Sequence, residues 1–466
     1  MIAINTTLTP LSLESAVADV FAVSAPKIRK LQNRWGDKSG TPVFTIGGEY
    51  TARGWTEWTQ GFQFGAAILQ FEFDNDEEFL TIGRQGTLNH MASHVTHIGV
   101  HDHGFNNVST YGNLLRLMAL GKIPSNEWEK NFYELALKAT GAIQAARWTS
   151  LPNNLGYIYS FNGPHSLFSD TVRSLRALAV SHLLGHRLMH EGDKPASLFE
   201  RLLQHAETTA KYNVYYGQGR DFYDNPATRG RTVHESIFNL NDGNYRCPST
   251  QQGYSPFSTW TRGLSWILLG YAEELELFEV LSPSEFEPYG GKTKWIERFL
   301  EPALATADFF IEHTPTDGIP YWDTGAPNLH KLGDYLNRPA EPDNDHEPVD
   351  SSAAAIAAQG YLRLGKFLEK RGDTKRGQKY FSAGLTIARS LFSDTYLSHD
   401  PNHEGLLLHS IYHQPNGWDY VPPGKKIAQG ESSMWGDYHG RELAILIQSL
   451  IEGKTYHRFF NGVASF

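Results

Sequence analysis

Residues 350–392, DSSAAAIAAQGYLRLGKFLEKRGDTKRGQKYFSAGLTIARSLF, hold the pattern that decides the fold. Two runs with apolar residues at helical spacing, 350–371 and 374–392, meet at a short polar turn, Arg371-Gly372-Asp373. Asp350 stands where a helix N-cap belongs, and the alanines at 353–355 let a neighbouring helix approach closely. Gly360 costs some helix stability relative to alanine without breaking the period. So short a connection makes the two helices antiparallel neighbours, and the segment reads as a helical hairpin.

The same pattern extends outward along the chain. Further helices are expected near 12–33, 58–73, 76–95, 106–121, 126–147, 166–186, 195–213, 258–277, 293–313 and 434–452, while long period-2 alternation is scarce. Short polar connections alternate with long ones rich in Gly, Pro, Asn and aromatic residues: 148–165, 215–257, 314–349 and 394–433. Long loops of this kind usually carry function. Their return after every second helix predicts six hairpins closed into an all-α (α/α)6 toroid, with a cleft at the long-loop face. No linker-like stretch divides the chain, so 1–466 is expected to form one catalytic domain. An open α-solenoid is the competing architecture, but no fixed short period is visible.

Composition narrows the function. The net charge is −10 and the charges are dispersed without a basic block, which argues against nucleic acid as a partner. No apolar run approaches the ~18 residues of a membrane span. The single cysteine, Cys247, rules out an internal disulfide and suits a reducing compartment. No basic segment followed by an apolar one opens the chain, so a cytoplasmic location is expected. Aromatic residues make up 13 % of the chain, with 11 Trp, 22 Tyr and 26 Phe. Such faces fill cores and also stack on sugar rings.

Two segments place an aspartate where a loop enters a helix: His101-Asp102-His103-Gly104-Phe105, and Ser166-Leu167-Phe168-Ser169-Asp170-Thr171-Val172-Arg173. One reading of each is a cap that accepts backbone N–H bonds at the positive end of a helix dipole. The other is a catalytic pair, because two carboxylates in different surroundings are the usual apparatus of glycoside chemistry. Both aspartates open even-numbered helices, the ones that would line a toroid's interior. A third segment runs from His234 through Gln252-Gly253-Tyr254 to Ser258-Thr259-Trp260-Thr261-Arg262-Gly263-Leu264-Ser265-Trp266. Arg262 and Trp266 share a helix face and suit a sugar carboxylate, the fork binding the acid and the indole stacking on the ring. An arginine lying over a core indole is the alternative. Trp55-Thr56-Glu57-Trp58-Thr59-Gln60-Gly61-Phe62 opens another helix with two indoles, and Gly430-Glu431-Ser432-Ser433-Met434-Trp435-Gly436-Asp437-Tyr438 enters the last.

The histidines at 90, 94, 97, 101 and 103 invite a metal reading, but Met91 stands where a zincin needs glutamate. The acidic loop Asp343-Asn344-Asp345-His346-Glu347 lacks the spacing and glycine of an EF-hand. Neither is expected to hold a metal.

Taken in order, these segments resemble the unsaturated glucuronyl hydrolases of glycoside hydrolase family 88. The likeness runs from Trp58 to Tyr438 through Trp58-Thr59-Gln60-Gly61-Phe62, His101-Asp102 with Gly104-Phe105, Asp170, His234, Gln252-Gly253-Tyr254, Ser258-Thr259-Trp260 with Arg262-Gly263, Trp266, Asp350-Ser351-Ser352-Ala353-Ala354 and Trp435-Gly436-Asp437-Tyr438. The resemblance implies an (α/α)6 barrel without metal or organic cofactor. It implies a Δ4,5-unsaturated uronic acid as substrate, left at a chain end by a polysaccharide lyase and released by hydration of its vinyl ether. Asp170 would be the general acid/base and Asp102 its partner, with the acid's pKa raised by the neighbouring carboxylate and the aromatic cleft. His234, Gln252, Arg262 and Trp266 would bind the uronate, Trp58 and Trp260 would shape the site, and Ser433 would contact substrate. The chain departs from the family at His103, usually apolar, at Phe161, often Trp, and across Thr171-Val172-Arg173-Ser174. Three other readings stay open: an unsaturated rhamnogalacturonyl hydrolase of family 105, a polysaccharide lyase on a similar toroid, and a non-catalytic glycan-binding protein.

Overall fold

In the computed structural model, which describes residues 1–36, 40–53, 58–454 and 459–464, the chain is built from helices with a few short strands at their ends. In chain order the α-helices are α1 (Glu14–Trp35), α2 (Gln60–Asp74), α3 (Glu77–His90), α4 (Ala92–Thr96), α5 (His103–Asn107), α6 (Asn113–Ala119), α7 (Glu127–Ala146), α8 (Thr171–Ser174), α9 (Arg176–Leu183), α10 (Leu198–Asn213), α11 (Thr261–Val280), α12 (Lys292–Glu312), α13 (Ser351–Lys370), α14 (Thr374–Leu391), α15 (Met434–Ile451) and α16 (Phe459–Ala464). A π-helical turn, Val108–Gly112, joins α5 to α6.

The helices form two layers. The inner ring runs α2, α5–α6, α8–α9, α11, α13 and α15, each packed on the next, and α15 returns to α2. These segments are buried nearly all round. The outer helices α1, α3, α7, α10, α12 and α14 bury one apolar stripe and turn a polar face outward. The architecture is therefore the (α/α)6 toroid that the hairpin pattern predicts. The hairpin of 350–392 shows why it packs well: Asp350 caps α13 through Ser352 and Ala353, and Gly372 closes the turn at a positive φ of 86°.

The lumen also holds charge. Arg173 reaches Glu273 at 2.8 Å and Glu442 at 3.1 Å, and Arg363 reaches Glu276 at 2.8 Å, all fully buried on the inner helices. Arg173 belongs to the stretch that departs from the family pattern. Its place is this ion cluster inside the ring, where pairing keeps the buried charges from an uncompensated desolvation penalty.

Three details differ from the sequence reading. The helix expected over 76–95 breaks at Met91 into α3 and α4. The helix expected over 166–186 opens instead as a strand, Ser166–Phe168, before α8 and α9. Two-stranded hairpins (Thr41–Ile46 with Glu49–Arg53, Trp148–Leu151 with Leu155–Ile158) and a three-stranded sheet also occupy the loops. Strands of three to six residues are too short to show a period.

Candidate active site

The three-stranded sheet brings two distant residues together. Strand Ser166–Phe168 pairs antiparallel with Glu235–Phe238, Phe168 opposite Glu235, and the third strand is Tyr245–Ser249. Ser169 N–H donates to the His234 carbonyl at 2.8 Å, so His234 and Asp170 meet at the end of the ladder. The His234 ring is buried, and its Nδ1 accepts from the backbone N–H groups of Gln251 (3.0 Å) and Gln252 (3.4 Å). Nδ1 therefore carries the lone pair, and the neutral ring keeps its proton on Nε2, which faces Asp170 Oδ1 at 3.9 Å.

His101 completes the group from the other side. Its Nε2 lies 2.9 Å from Asp170 Oδ2 and 3.7 Å from Asp102 Oδ1. Asp102 and Asp170 are the residues before α5 and α8, yet neither side chain accepts a capping hydrogen bond from its helix. The cap reading of both aspartates is thereby excluded. One imidazole bridges two buried carboxylates.

The electrostatics split the pair. Burial raises the Asp102 carboxyl to about 6, against the pull of His101. Asp170 is equally buried, but the His101 charge and hydrogen bond, helped by His234, hold it below its ordinary value. The expectation of a raised pKa on Asp170 is thus corrected: the raised carboxyl is Asp102, because the imidazoles serve Asp170 first. His234 is pushed down to about 4 by burial. His101, Asp102 and Asp170 each offer a ligand atom within 4.8 Å of the others, a spacing that a cation could bridge. The 2.9 Å contact is nonetheless a hydrogen-bond length, and His234, whose Nδ1 accepts two backbone N–H bonds, turns its Nε2–H rather than a lone pair toward the group. The donor set suits proton transfer.

Close helix packing holds this geometry. A Cβ on Gly104 would fall 2.1 Å from the Ser174 carbonyl oxygen and 2.6 Å from its Cα, and the Ser174 hydroxyl donates to the His101 carbonyl at 2.9 Å. Gly104→Ala is expected to push α5 off α8 at a cost of roughly 1–3 kcal/mol. It should lower the thermal midpoint and activity together; an unchanged midpoint would show that the backbone yields without cost.

The group opens on a cavity of about 620 Å³. Trp58, Asp102, Asp170, Gln252, Trp260, Arg262 and Trp266 all line it, seven of the nine residues expected at the site. His234 lies just behind Asp170. Ser433 is not among the lining residues: its hydroxyl caps α15 at Gly436 and bonds Ser410, so its role as a substrate contact is not what the structure places there. Trp55 falls outside the described residues. Trp58 stacks on Trp435 with centroids 5.0 Å apart. Arg262 is not paired with Trp266 as helical spacing suggested. Its guanidinium lies between Trp260 (4.7 Å) and Trp435 (4.9 Å), while Trp266 packs on Phe105 and His439. Arg262 donates to Asp350 Oδ2 (3.0 Å), Gln252 Oε1 (2.8 Å), the Tyr412 carbonyl (2.8 Å) and the Ile411 carbonyl. It thus orders Gln252 and the 411–412 wall.

Sequence reasoning missed His101 as a site residue, and with it Phe168, Gln251, Tyr412, His413, Asn416 and Trp418 of the cavity wall. Only His101 carried a signal, its place beside Asp102. The other histidines find separate partners: His94 bonds Gln60 at 2.7 Å, His97 bonds His103 at 3.1 Å, and His90 stacks on Phe64. In the acidic loop, Asp345 pairs with Lys426, and Glu347 accepts from Trp322 and Asn328.

No family model matches the chain. It is 25 % identical over 453 residues to an unsaturated glucuronyl hydrolase of Bacillus sp. (strain GL1), covering 96 % of this chain and 99 % of that one. It is 24 % identical over 420 residues to an unsaturated chondroitin disaccharide hydrolase of Streptococcus agalactiae serotype III, covering 88 % and 86 %. The crystal structure of the Bacillus sp. GL1 unsaturated glucuronyl hydrolase superposes with a TM-score of 0.68 at 22 % identity, over 96 % of this chain and 98 % of that one. Sequence likeness runs along nearly the whole length, and the chain shares its fold with the unsaturated glucuronyl hydrolases.

Proposed function

We propose that this chain is a glycoside hydrolase that releases a Δ4,5-unsaturated uronic acid from the non-reducing end of lyase-generated oligosaccharides. The observation that carries the reading is the buried pair Asp102 and Asp170, bridged by His101 at an aromatic-walled cavity. Asp170 protonates C4 of the enol ether, and the ring oxygen stabilises the cation left at C5. Water adds at C5 as its proton passes back to Asp170, and the resulting hemiketal opens with loss of the glycosidic bond. Gln252 and the indoles of Trp58, Trp260 and Trp266 hold the sugar, with Arg262 ordering the wall behind them. The enzyme acts in the cytoplasm: its one cysteine, Cys247, is exposed and suits a reducing compartment. Among the described residues no helix is long and apolar enough to cross a membrane.

The test is to incubate the protein with lyase-generated unsaturated disaccharides and follow the ultraviolet absorbance of the conjugated double bond. Loss of absorbance supports the reading. A gain on intact polymer would identify a lyase, binding without change a glycan-binding protein, and selectivity for unsaturated galacturonyl-rhamnose the family 105 activity.

The pH profile follows from the electrostatics. With Asp102 raised to about 6, it is protonated below that pH, where His101⁺ balances Asp170⁻ and the site is neutral. Above it, Asp102 ionises and the site carries one net negative charge that repels a uronate. Hence kcat/KM is expected to fall by up to about tenfold per pH unit above roughly pH 6. A profile flat from about pH 5 to 8 would remove Asp102 from this role.

A further inference from the structure

Asp170 is held in its ionised form, although the proposed chemistry begins with a proton on it. The neighbour able to supply that proton is His101, whose Nε2 is 2.9 Å from Asp170 Oδ2. The ring is buried with its edge on Phe168, and its Nδ1 has no hydrogen-bond partner among the described residues. Nε2 is within hydrogen-bond distance of Asp170 Oδ2 and beyond it from Asp102 Oδ1, at 3.7 Å, so a proton leaving Nε2 crosses the bond to Asp170. The Ser174 hydroxyl fixes the backbone beneath the ring.

We propose that His101 is the positioning residue that loads Asp170: an imidazolium–carboxylate pair in the empty site becomes neutral imidazole and carboxylic acid when a uronate fills the cavity. This rests on the reading of Asp170 as the acid/base. The charged and titratable groups facing His101 are Asp102 and Asp170, which favour its charge, and Arg147, which opposes it. His103, His205 and His234 also face it, and burial lowers the pKa of each. The balance raises His101 above its ordinary value although burial works against it. Substrate displaces water from the cavity and lowers the local dielectric. Two opposite charges in contact then lose solvation, which favours the neutral pair.

The protons balance. The His101 Nε2–H bond breaks as an O–H bond forms on Asp170 Oδ2. That O–H bond breaks as the C4=C5 electron pair takes the proton to form C4–H. Water bonds to C5 through oxygen and returns one proton to Asp170, and the ion pair re-forms when product leaves. No external acid or base is consumed.

His101→Gln separates proton supply from support, because its amide still donates to Asp170 but carries no transferable proton. With the unsaturated disaccharide, kcat is expected to fall by about 100-fold, the scale of general acid–base catalysis, with KM within about threefold. Nitrogen NMR of histidine-labelled protein should show His101 as imidazolium in the free protein at about pH 6, and neutral while saturating unsaturated disaccharide is being turned over. A purely supporting role predicts that Gln preserves kcat. Retention of kcat within about threefold, or a neutral His101 in the free protein, overturns the proposal. A wild-type protein inert toward every unsaturated disaccharide overturns instead the functional reading, and the free-protein spectrum still decides whether the ion pair exists.

Discussion

Asp170→Asn is expected to abolish the loss of ultraviolet absorbance, lowering kcat by about 10³-fold, or ~4 kcal/mol of barrier. Asparagine has nearly the same shape, and the fold around it does not depend on the charge: the strand pairing and the Ser169–His234 backbone bond hold the position. The amide oxygen can still accept from His101. What is lost is the oxygen that donates a proton to C4 and takes one from water. Folding by circular dichroism and substrate affinity should therefore stay close to wild type while turnover disappears. If more than about a tenth of the rate survives, the donor is Asp102 instead, whose carboxyl burial raises to about 6 and which is the other proton carrier at the cavity.

Arg262→Met is expected to destabilise the fold by about 3–5 kcal/mol, the cost of leaving one member of a buried ion pair without its partner. Methionine fills similar space between Trp260 and Trp435 but strands Asp350, which is fully buried and bonded 3.0 Å from Arg262. Asp350 also caps α13, so its disturbance reaches an inner helix. The carbonyls of Ile411 and Tyr412 and the Gln252 amide lose a donor together, loosening the cavity wall. The check is the urea midpoint of unfolding. Adding Asp350→Asn should recover part of the loss, because it removes the stranded charge while keeping an acceptor for the cap. A loss below about 1 kcal/mol in the single variant would show that the pair adds no net stability.

The toroid was legible because helical periodicity is a local property, repeated over fifteen to twenty residues and punctuated by turns. The alternation of short and long connections carried the ring order, and it placed Asp102 and Asp170 at the starts of even-numbered, inner helices. The sheet was not legible: Ser166–Phe168 is three residues long and its pairing with Glu235–Phe238 crosses some seventy residues, so no local pattern announces it. The wall residues Tyr412 to Trp418 were hidden for the same reason, since they sit in a loop whose course is set by Arg262 and by Asp419, which accepts from the Tyr412 and His413 N–H groups.

By itself, then, the sequence determined the helices, their hairpin order and the residue types available for acid–base chemistry. Tertiary structure alone decided how those residues are charged. Asp102 and Asp170 look alike in the chain, each an aspartate at the mouth of an inner helix. They differ once folding sets one imidazole 2.9 Å from Asp170 and 3.7 Å from Asp102, and a second behind Asp170 alone. Those distances depend on contacts between segments remote in sequence, and at low dielectric they are enough to separate two otherwise identical carboxyl groups.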